Sequence, residues 1–212
     1  MALAPLVVGV ADHNGWAALV CVSVKDGSPE VIDRRRVELI EPGLPKHPYE
    51  HETVGMNAAR RGEIGTGSPG LGRALRRAGV VAITVRPGND GGDPLDRVED
   101  RPTAPASRFS GGKEVHVSWP VTVRADAMLY HDALCTSAAS RGINVDTFAR
   151  GEERPRAAEA TATTAQCLDR FLSGLRASLG PPWRQDHQAA AARAIAALGR
   201  YTTLQLDKPR YP

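Results

Sequence analysis

The sequence lacks the features of a membrane-spanning or secreted protein. Its apolar runs are all far shorter than the roughly 20 residues that a helix needs to cross a bilayer. Its opening residues carry neither a basic leader nor the cleavage site of a signal peptide. Cysteine is scarce as well. Cys21, Cys135 and Cys167 form no CxxC pair, which argues against both a disulfide framework and a cysteine-held zinc ion. We therefore expect a protein of the reducing cytoplasm that makes no contact with membranes.

A large excess of charge of one sign is also missing. The 27 Lys and Arg residues against 24 Asp and Glu leave a net charge of only +3. So small a surplus permits contact with phosphate backbones but does not argue for it, because strong nucleic-acid binders usually carry denser basic patches. The chain has 42% hydrophobic and 24% charged residues, which is the balance of a folded domain. Its 212 residues fit one domain and would be cramped as two.

The first forty residues predict a meander of three antiparallel strands. Leu6–Val10 is a short apolar run, and the chain then turns through Asp12–Gly15. Trp16–Val24 is rich in β-branched residues and predicts the second strand. Asp26-Gly27 is typical of a tight hairpin turn. Glu30–Ile40 then alternates but carries many charges, which places the third strand at a sheet edge or with one face in water.

The second half of the chain predicts alternating strands and helices. Residues 86–113 are rich in glycine and proline, and we interpret them as a flexible insertion. The predicted strands are Val80–Val85, Val115–Val123 and Ile143–Phe148, and the predicted helices are Ala125–Arg141, Glu159–Leu179 and Gln185–Leu198. Three antiparallel strands followed by this alternation indicate an α/β fold with a mixed sheet, in a single domain over residues 1–212.

Acidic residues near the two ends of the sequence are candidates for a shared site. Asp12 emerges where the first apolar strand ends, although a turn aspartate that bonds to nearby backbone amides is the simpler interpretation. Asp186 and His187 occupy the first turn of the last predicted helix, where an acid also complements the helix dipole. Small residues follow on that helix and allow it to lie close against a sheet: Ala190, Ala194 and Ala197.

These segments resemble the RuvC-type branch of the ribonuclease H-like superfamily. Residues 12–17, Asp-His-Asn-Gly-Trp-Ala, are similar to the end of that fold's first strand. Residues 127–145 are similar to its segment of helix, Arg-Gly and strand, and residues 186–190 resemble its final helix. The chain also resembles a group of uncharacterised bacterial proteins that share residues 48–52 and 180–187. The resemblance implies a ribonuclease H-like mixed sheet.

The resemblance further implies a divalent-metal site that cuts phosphodiesters. Such enzymes hold two Mg²⁺ or Mn²⁺ ions on carboxylates, which activate water and stabilise the leaving oxygen. Asp12 and Asp186 match two positions of that pattern, and His187 matches a third metal ligand. Glu52 matches the glutamate that the ribonuclease H branch places after its meander. The RuvC branch instead carries a glutamate near the end of its fourth strand, and residues 81–86 hold no acid.

The sequence thus leads us to expect a ribonuclease H-like, metal-dependent nuclease or nuclease-related protein that acts on DNA or RNA. Asp12, Glu52 and Asp186 would be catalytic, and Trp183 and Arg184 would border the substrate. For Trp16 and Trp183, core packing is the alternative to stacking on bases, and we favour it.

Two other functions remain open at this point. The first is a degenerate, non-catalytic binding or assembly module on the same fold, with residues 86–113 meeting a partner. The second is a phosphotransfer protein, because the fold of sugar kinases and actin begins with a similar three-strand meander. The chain length leaves little room for the second domain that this alternative requires.

Overall fold

A computed structural model describes residues 4–40, 46, 82–85, 119–149 and 151–206, with residues 82–85 and 119–125 described by their backbone alone. The strands are β1 (Val7–His13), β2 (Trp16–Lys25), β3 (Ser28–Glu38), β4 (Ala82–Val85) and β5 (Asn144–Thr147). The helices of the described ranges are α1 (Trp119–Ala139), α2 (Glu153–Ala160), α3 (Ala165–Leu179) and α4 (Gln185–Leu198). Glu52 and the predicted insertion at 86–113 lie outside the described residues.

The described strands form one mixed sheet in the order β3-β2-β1-β4-β5. β1 pairs antiparallel with β2, which pairs antiparallel with β3, whereas β1, β4 and β5 run parallel to one another. The predicted meander and the mixed α/β sheet are therefore confirmed. None of the helices in these ranges combines the length and apolar character needed to cross a membrane.

β1 is longer than the sequence predicts, and this changes the setting of Asp12. The ladder to β2 continues through Asp12, opposite Ala17, to His13, opposite Trp16. The turn is reduced to Asn14 and Gly15, and Gly15 takes a positive φ of 83°. Asp12 is thus a strand residue rather than a turn residue. Pairing with β2 supplies partners for backbone groups that a longer turn would leave to water.

β3 is an edge strand, as its charges predict, and it carries a bulge. Cys21 pairs with Asp33 while Val22 pairs with Val31, so Ile32 is left without a partner in the ladder. Ile32 is accordingly 54% exposed. A bulge and a row of charged side chains both discourage a second chain from pairing with an open edge.

α1 begins earlier than expected and corrects the predicted strand Val115–Val123. Residues 119–123 are helical, and residues 115–118 lie outside the described part of the chain. Pro120 falls in the first turn, where its fixed φ suits a helix and its missing N–H leaves no helical bond unmade. This local preference outweighs the β-branched side chains of Val121 and Val123. α1 ends at Ala139, two residues before the predicted Arg141, and Gly142 closes the following turn with a φ of 69°.

The predicted helix Glu159–Leu179 is in fact two helices. α2 ends at Ala160, and α3 begins at Ala165 behind Thr164, whose hydroxyl oxygen accepts the backbone N–H of Cys167 at 3.2 Å. Ala162 takes a positive φ of 49°, which breaks the helical path between them. A threonine cap of this kind satisfies an amide that the start of a helix would otherwise leave unpaired. α4, by contrast, has the predicted bounds.

Helices cover both faces of the sheet, and the residues of β1 alternate between them. Val7 and Ala11 pack in one core cluster with α4, whereas Val8 and Val10 pack in a second cluster with Leu134 of α1. The small residues expected to let α4 approach the sheet are all fully buried: Ala190, Ala194 and Ala197. Because side chains alternate along a strand, Asp12 projects on the α1 side and His13 on the α4 side.

Candidate functional site at the end of β1

Asp12 lines an open pocket at the end of β1. The pocket has a volume of about 400 Å³ and is lined by Asp12, His13, Asn14, Trp16 and Ala127. The Oδ1 atom of Asp12 is buried and accepts no hydrogen bond from the residues that the structure describes. A buried carboxylate oxygen without a donor is costly, because it has lost its water without gaining a partner. Such an oxygen is suited to bind a cation.

The charge of Asp12 acts on the α1 side of the sheet. Cys135 of α1 has its pKa raised to about 11, mainly by burial and further by Asp132 and Asp12. Burial likewise raises the pKa of Cys21 to about 11. Both thiols are therefore neutral at physiological pH. They are poor metal ligands, because the thiolate is the form that binds metal.

Asp186 reaches the same end of β1 from the other side of the sheet. Its Oδ1 lies 3.3 Å from Nε2 of His13, the residue next to Asp12. That distance is within ion-pair range, but Nε2 is buried and makes no well-aligned hydrogen bond within the described ranges. The side chains of His13 and Asp186 are 37% and 40% exposed. The start of α4 and the end of β1 therefore meet, with Asp186 on the α4 side of the sheet and Asp12 on the α1 side.

Trp16 fixes His13 from the neighbouring strand. The two rings stack with their centroids 4.0 Å apart and their planes 8° from parallel. The guanidinium of Arg36 lies 4.1 Å from the centroid of the Trp16 ring. β2 lies between β1 and β3, so the indole stands between the imidazole and the guanidinium. Protein groups thus occupy the Trp16 ring, which agrees with the packing interpretation rather than with base stacking.

His187 caps α4 instead of facing the pocket. It is only 9% exposed, and its Nδ1 accepts the backbone N–H of Arg184 at 3.3 Å. Burial lowers the pKa of His187, and the nearby Arg34 cation lowers it further, against an opposing effect of Asp186. The neutral ring suits both the cap and the positive end of the helix. His187 is therefore already engaged in a structural role, with one ring nitrogen used by the backbone.

Trp183 lies in the core, and Arg184 lies on the surface. Trp183 is 4% exposed, and its Nε1–H donates to the carbonyl of Leu172 at 2.7 Å. Its indole is therefore not placed to border a substrate. Arg184 is exposed at the N-terminal end of α4, beside Asp186.

The sequence reasoning missed a buried acid on α1. Asp126 is fully buried, immediately before the pocket-lining Ala127, and thus on the same side of the sheet as Asp12. Its spacing from other buried residues of α1 is the pattern in the sequence that indicates its burial. Asp126 falls four residues before Tyr130 and eight before Leu134, the buried stripe of α1. Met128, which lies off this stripe, is 38% exposed.

The described residues fit part of a metal site. Asp12 and Asp186 offer hard carboxylate oxygens, which Mg²⁺ and Mn²⁺ prefer, and the buried Oδ1 of Asp12 has no competing donor there. Within the same ranges, however, no three His, Cys, Asp or Glu side chains are grouped so as to hold a metal ion.

Comparison with known proteins yields structural relatives only. No family model matches the sequence, and no curated protein matches it. Thermus thermophilus RuvC superposes with a TM-score of 0.51 at 14% identity, over 94% of this chain and 98% of its own. T. thermophilus RuvC in complex with a Holliday junction substrate gives 0.50 at 16% identity, over 95% and 98%. At these identities the likeness establishes architecture and not activity. The chain therefore has the ribonuclease H-like fold of RuvC.

Proposed function

We propose that this protein is a divalent-metal-dependent nuclease, or a nuclease-related nucleic-acid-binding protein, that acts on DNA or RNA. One observation carries the proposal. Asp186 lies against His13, beside Asp12, and the buried Oδ1 of Asp12 has no donor in the described ranges. The fold supports it, and one RuvC structure with this fold holds a Holliday junction. Branched DNA is therefore the first substrate class to test.

In this proposal Asp12, from the α1 side of the sheet, and Asp186, from the α4 side, would hold Mg²⁺ or Mn²⁺ at the end of β1, together with Glu52. The bound metal supplies an activated water and stabilises the leaving oxygen of the phosphodiester. Asp12 contributes an oxygen for which a cation would offset the cost of burial. Arg184 is exposed next to Asp186 and is suited to contact a substrate phosphate. His187 contributes to this site by holding the first turn of α4, from which Asp186 projects.

A second candidate is a non-catalytic binding module on the same fold. It is favoured by the missing acid at the end of β4, where residues 81–86 carry none. It is also favoured by the acids of the described ranges, which do not form a group of three ligands. Such a module would bind nucleic acid or a protein without cutting it.

Metal-dependent stabilisation tests the proposed site. We expect saturating Mn²⁺ to raise the Tm of the native chain but not of an Asp12→Asn, Asp186→Asn double variant. A ligand at 100 times its Kd stabilises by about 2.7 kcal/mol, or roughly 5–11 °C for a domain of this size. Asp132→Asn with Glu159→Gln is the matched control, since both residues are exposed and the charge change is the same. Equal shifts in all three proteins would contradict the proposal.

Cleavage separates the two candidates. Native protein with Mn²⁺ should nick a four-way DNA junction or an RNA–DNA hybrid. Asp12→Asn should abolish the nicking while its Tm without metal stays near that of the native chain. The protein is also tested on single-stranded and duplex DNA. If it binds metal but cuts none of the four nucleic acids, the non-catalytic module is the better description.

A further inference from the structure

Four side chains form a row across the α4 side of the sheet, next to the pocket. We call this the His13 row: Arg36, Trp16, His13 and Asp186. The row begins on the edge strand β3, crosses β2 and β1, and ends at the first turn of α4.

The imidazole of His13 is held by the strands beside it. Trp16 lies parallel to it at 4.0 Å, and Arg36 lies 4.1 Å from the Trp16 ring centroid, where a cation is attracted by the face of an indole. The Nε of Arg36 in turn donates to Glu38 at 2.9 Å. Tilting the His13 ring out of plane would separate the stacked rings. The position of Nε2 is therefore set by residues of three strands.

Asp186 is less constrained than the histidine that it faces. Its carboxylate is 40% exposed, and its Oδ1 lies 3.3 Å from His13 Nε2, short of a well-aligned hydrogen bond. Because the carboxylate is partly exposed, it has room to rotate toward alignment with Nε2. Nε2 is itself buried, so no water competes as its partner. In its Nε2–H form, His13 can donate a hydrogen bond to this carboxylate.

We infer that His13 is a positioning residue, which holds the Asp186 carboxylate in the orientation that binds the cation. The inference rests on the proposed function and goes beyond it. One oxygen of a metal-binding carboxylate takes the cation, and the other is usually held by a hydrogen-bond donor. Loss of such a donor typically weakens metal binding by about 10- to 100-fold. The row provides this donor from the rigid part of the sheet.

Mn²⁺ affinity, measured by isothermal titration calorimetry on the full chain, tests the inference without relying on activity. His13→Phe keeps a ring that can stack on Trp16 but has no donor, and we expect its Kd to rise by about 10- to 100-fold. His13→Gln keeps an N–H donor and should recover most of the loss. His131→Phe makes the same substitution at a histidine of α1 that lies against Cys135, and its Kd should equal that of the native chain.

The outcomes distinguish this inference from the proposed function. If His13→Phe binds Mn²⁺ as tightly as the native chain while Asp186→Asn does not, His13 has no positioning role and the metal site stands. If the native chain binds no Mn²⁺, the metal-dependent function fails, and the inference fails with it. If circular dichroism shows that His13→Phe is unfolded, His13→Leu takes its place. The same loss, again restored by His13→Gln, is then expected.

Discussion

Gly9 lies where β1 passes beneath α4, and the structure leaves no room for a side chain there. A Cβ on Gly9 would lie 1.7 Å from the carbonyl oxygen of Ala190 and 3.1 Å from the amide nitrogen of Ala194. The first distance is about 2 Å short of the separation at which nonbonded heavy atoms pack well. Both obstacles are backbone atoms, so no rotamer change relieves the overlap. Gly9→Ala must therefore push α4 away from the sheet.

The expected cost of Gly9→Ala follows from that displacement. Adding one methylene to a packed core typically costs about 1–3 kcal/mol, even where side chains can adjust. Here a whole helix must shift, so we expect the free energy of unfolding to fall by about 3 kcal/mol or more. For a domain of this size that corresponds to a Tm roughly 6–12 °C lower. Urea denaturation with circular dichroism measures the first quantity, and a thermal melt measures the second.

Two controls isolate the steric effect. Gly27→Ala adds the same methyl group in the β2–β3 hairpin, where no atom lies within 4 Å but φ is +82°. It should cost only the roughly 1–2 kcal/mol of left-handed backbone strain. Ala190→Gly should not rescue Gly9→Ala, because the obstacle is the Ala190 carbonyl and not its side chain. A Gly9→Ala variant within about 0.5 kcal/mol of the native chain, the range of neutral surface substitutions, would refute the close packing of α4.

Two further predictions concern the start of α4. Trp183→Phe removes the N–H that donates to Leu172. The free energy of unfolding in urea should fall by about 1 kcal/mol, and the affinity for Mn²⁺ should not change. Weaker nucleic-acid binding at unchanged stability would instead place Trp183 at the substrate. Because burial and Arg34 lower the pKa of His187 from 6.5, its contribution to stability is complete above that pH and is lost as pH falls through the lower folded value. Thermal melts should show that the Tm of the native chain falls on acidification. The Tm of His187→Asn, whose amide oxygen can still accept the Arg184 N–H, should fall less. Parallel pH profiles of the two proteins would show that protonation of His187 is not the cause of the fall.

The meander and the last helix could be predicted because their signals are local. Asp26-Gly27 dictates a tight turn, and both residues adopt positive φ there, at 53° and 82°. The bounds of α4 follow from its alanine-rich run and from Gly199. The end of β1 could not be predicted in the same way, because Asp12 and His13 join the strand only through pairing with Ala17 and Trp16. That pairing depends on the register of β2, which a local turn pattern does not specify.

The setting of the candidate site residues could be predicted only in part, for the same reason. With Asp12 placed in a turn, the sequence did not predict that side chains alternate along β1 as far as His13. This alternation directs Asp12 to the α1 side and His13 to the α4 side. Once the strand runs through both residues, His13 and Trp16 fall opposite each other, and their stacking follows from cross-strand pairing. The role of Trp183 depends on its contact with Leu172 of α3, which no motif spacing reveals.

The central position of β1 also bears on how the protein is made. β1 is translated before β4 and α4, which come from residues 82–85 and 185–198, and of its neighbours only β2 is close in sequence. A nascent chain on the ribosome can form the β1–β2–β3 hairpins soon after they emerge, but one face of that sheet stays uncovered until α4 has been synthesised. Contacts so distant in sequence slow folding and expose apolar surface to aggregation. The contact of His13 with Asp186 can therefore form only after α4 has been synthesised.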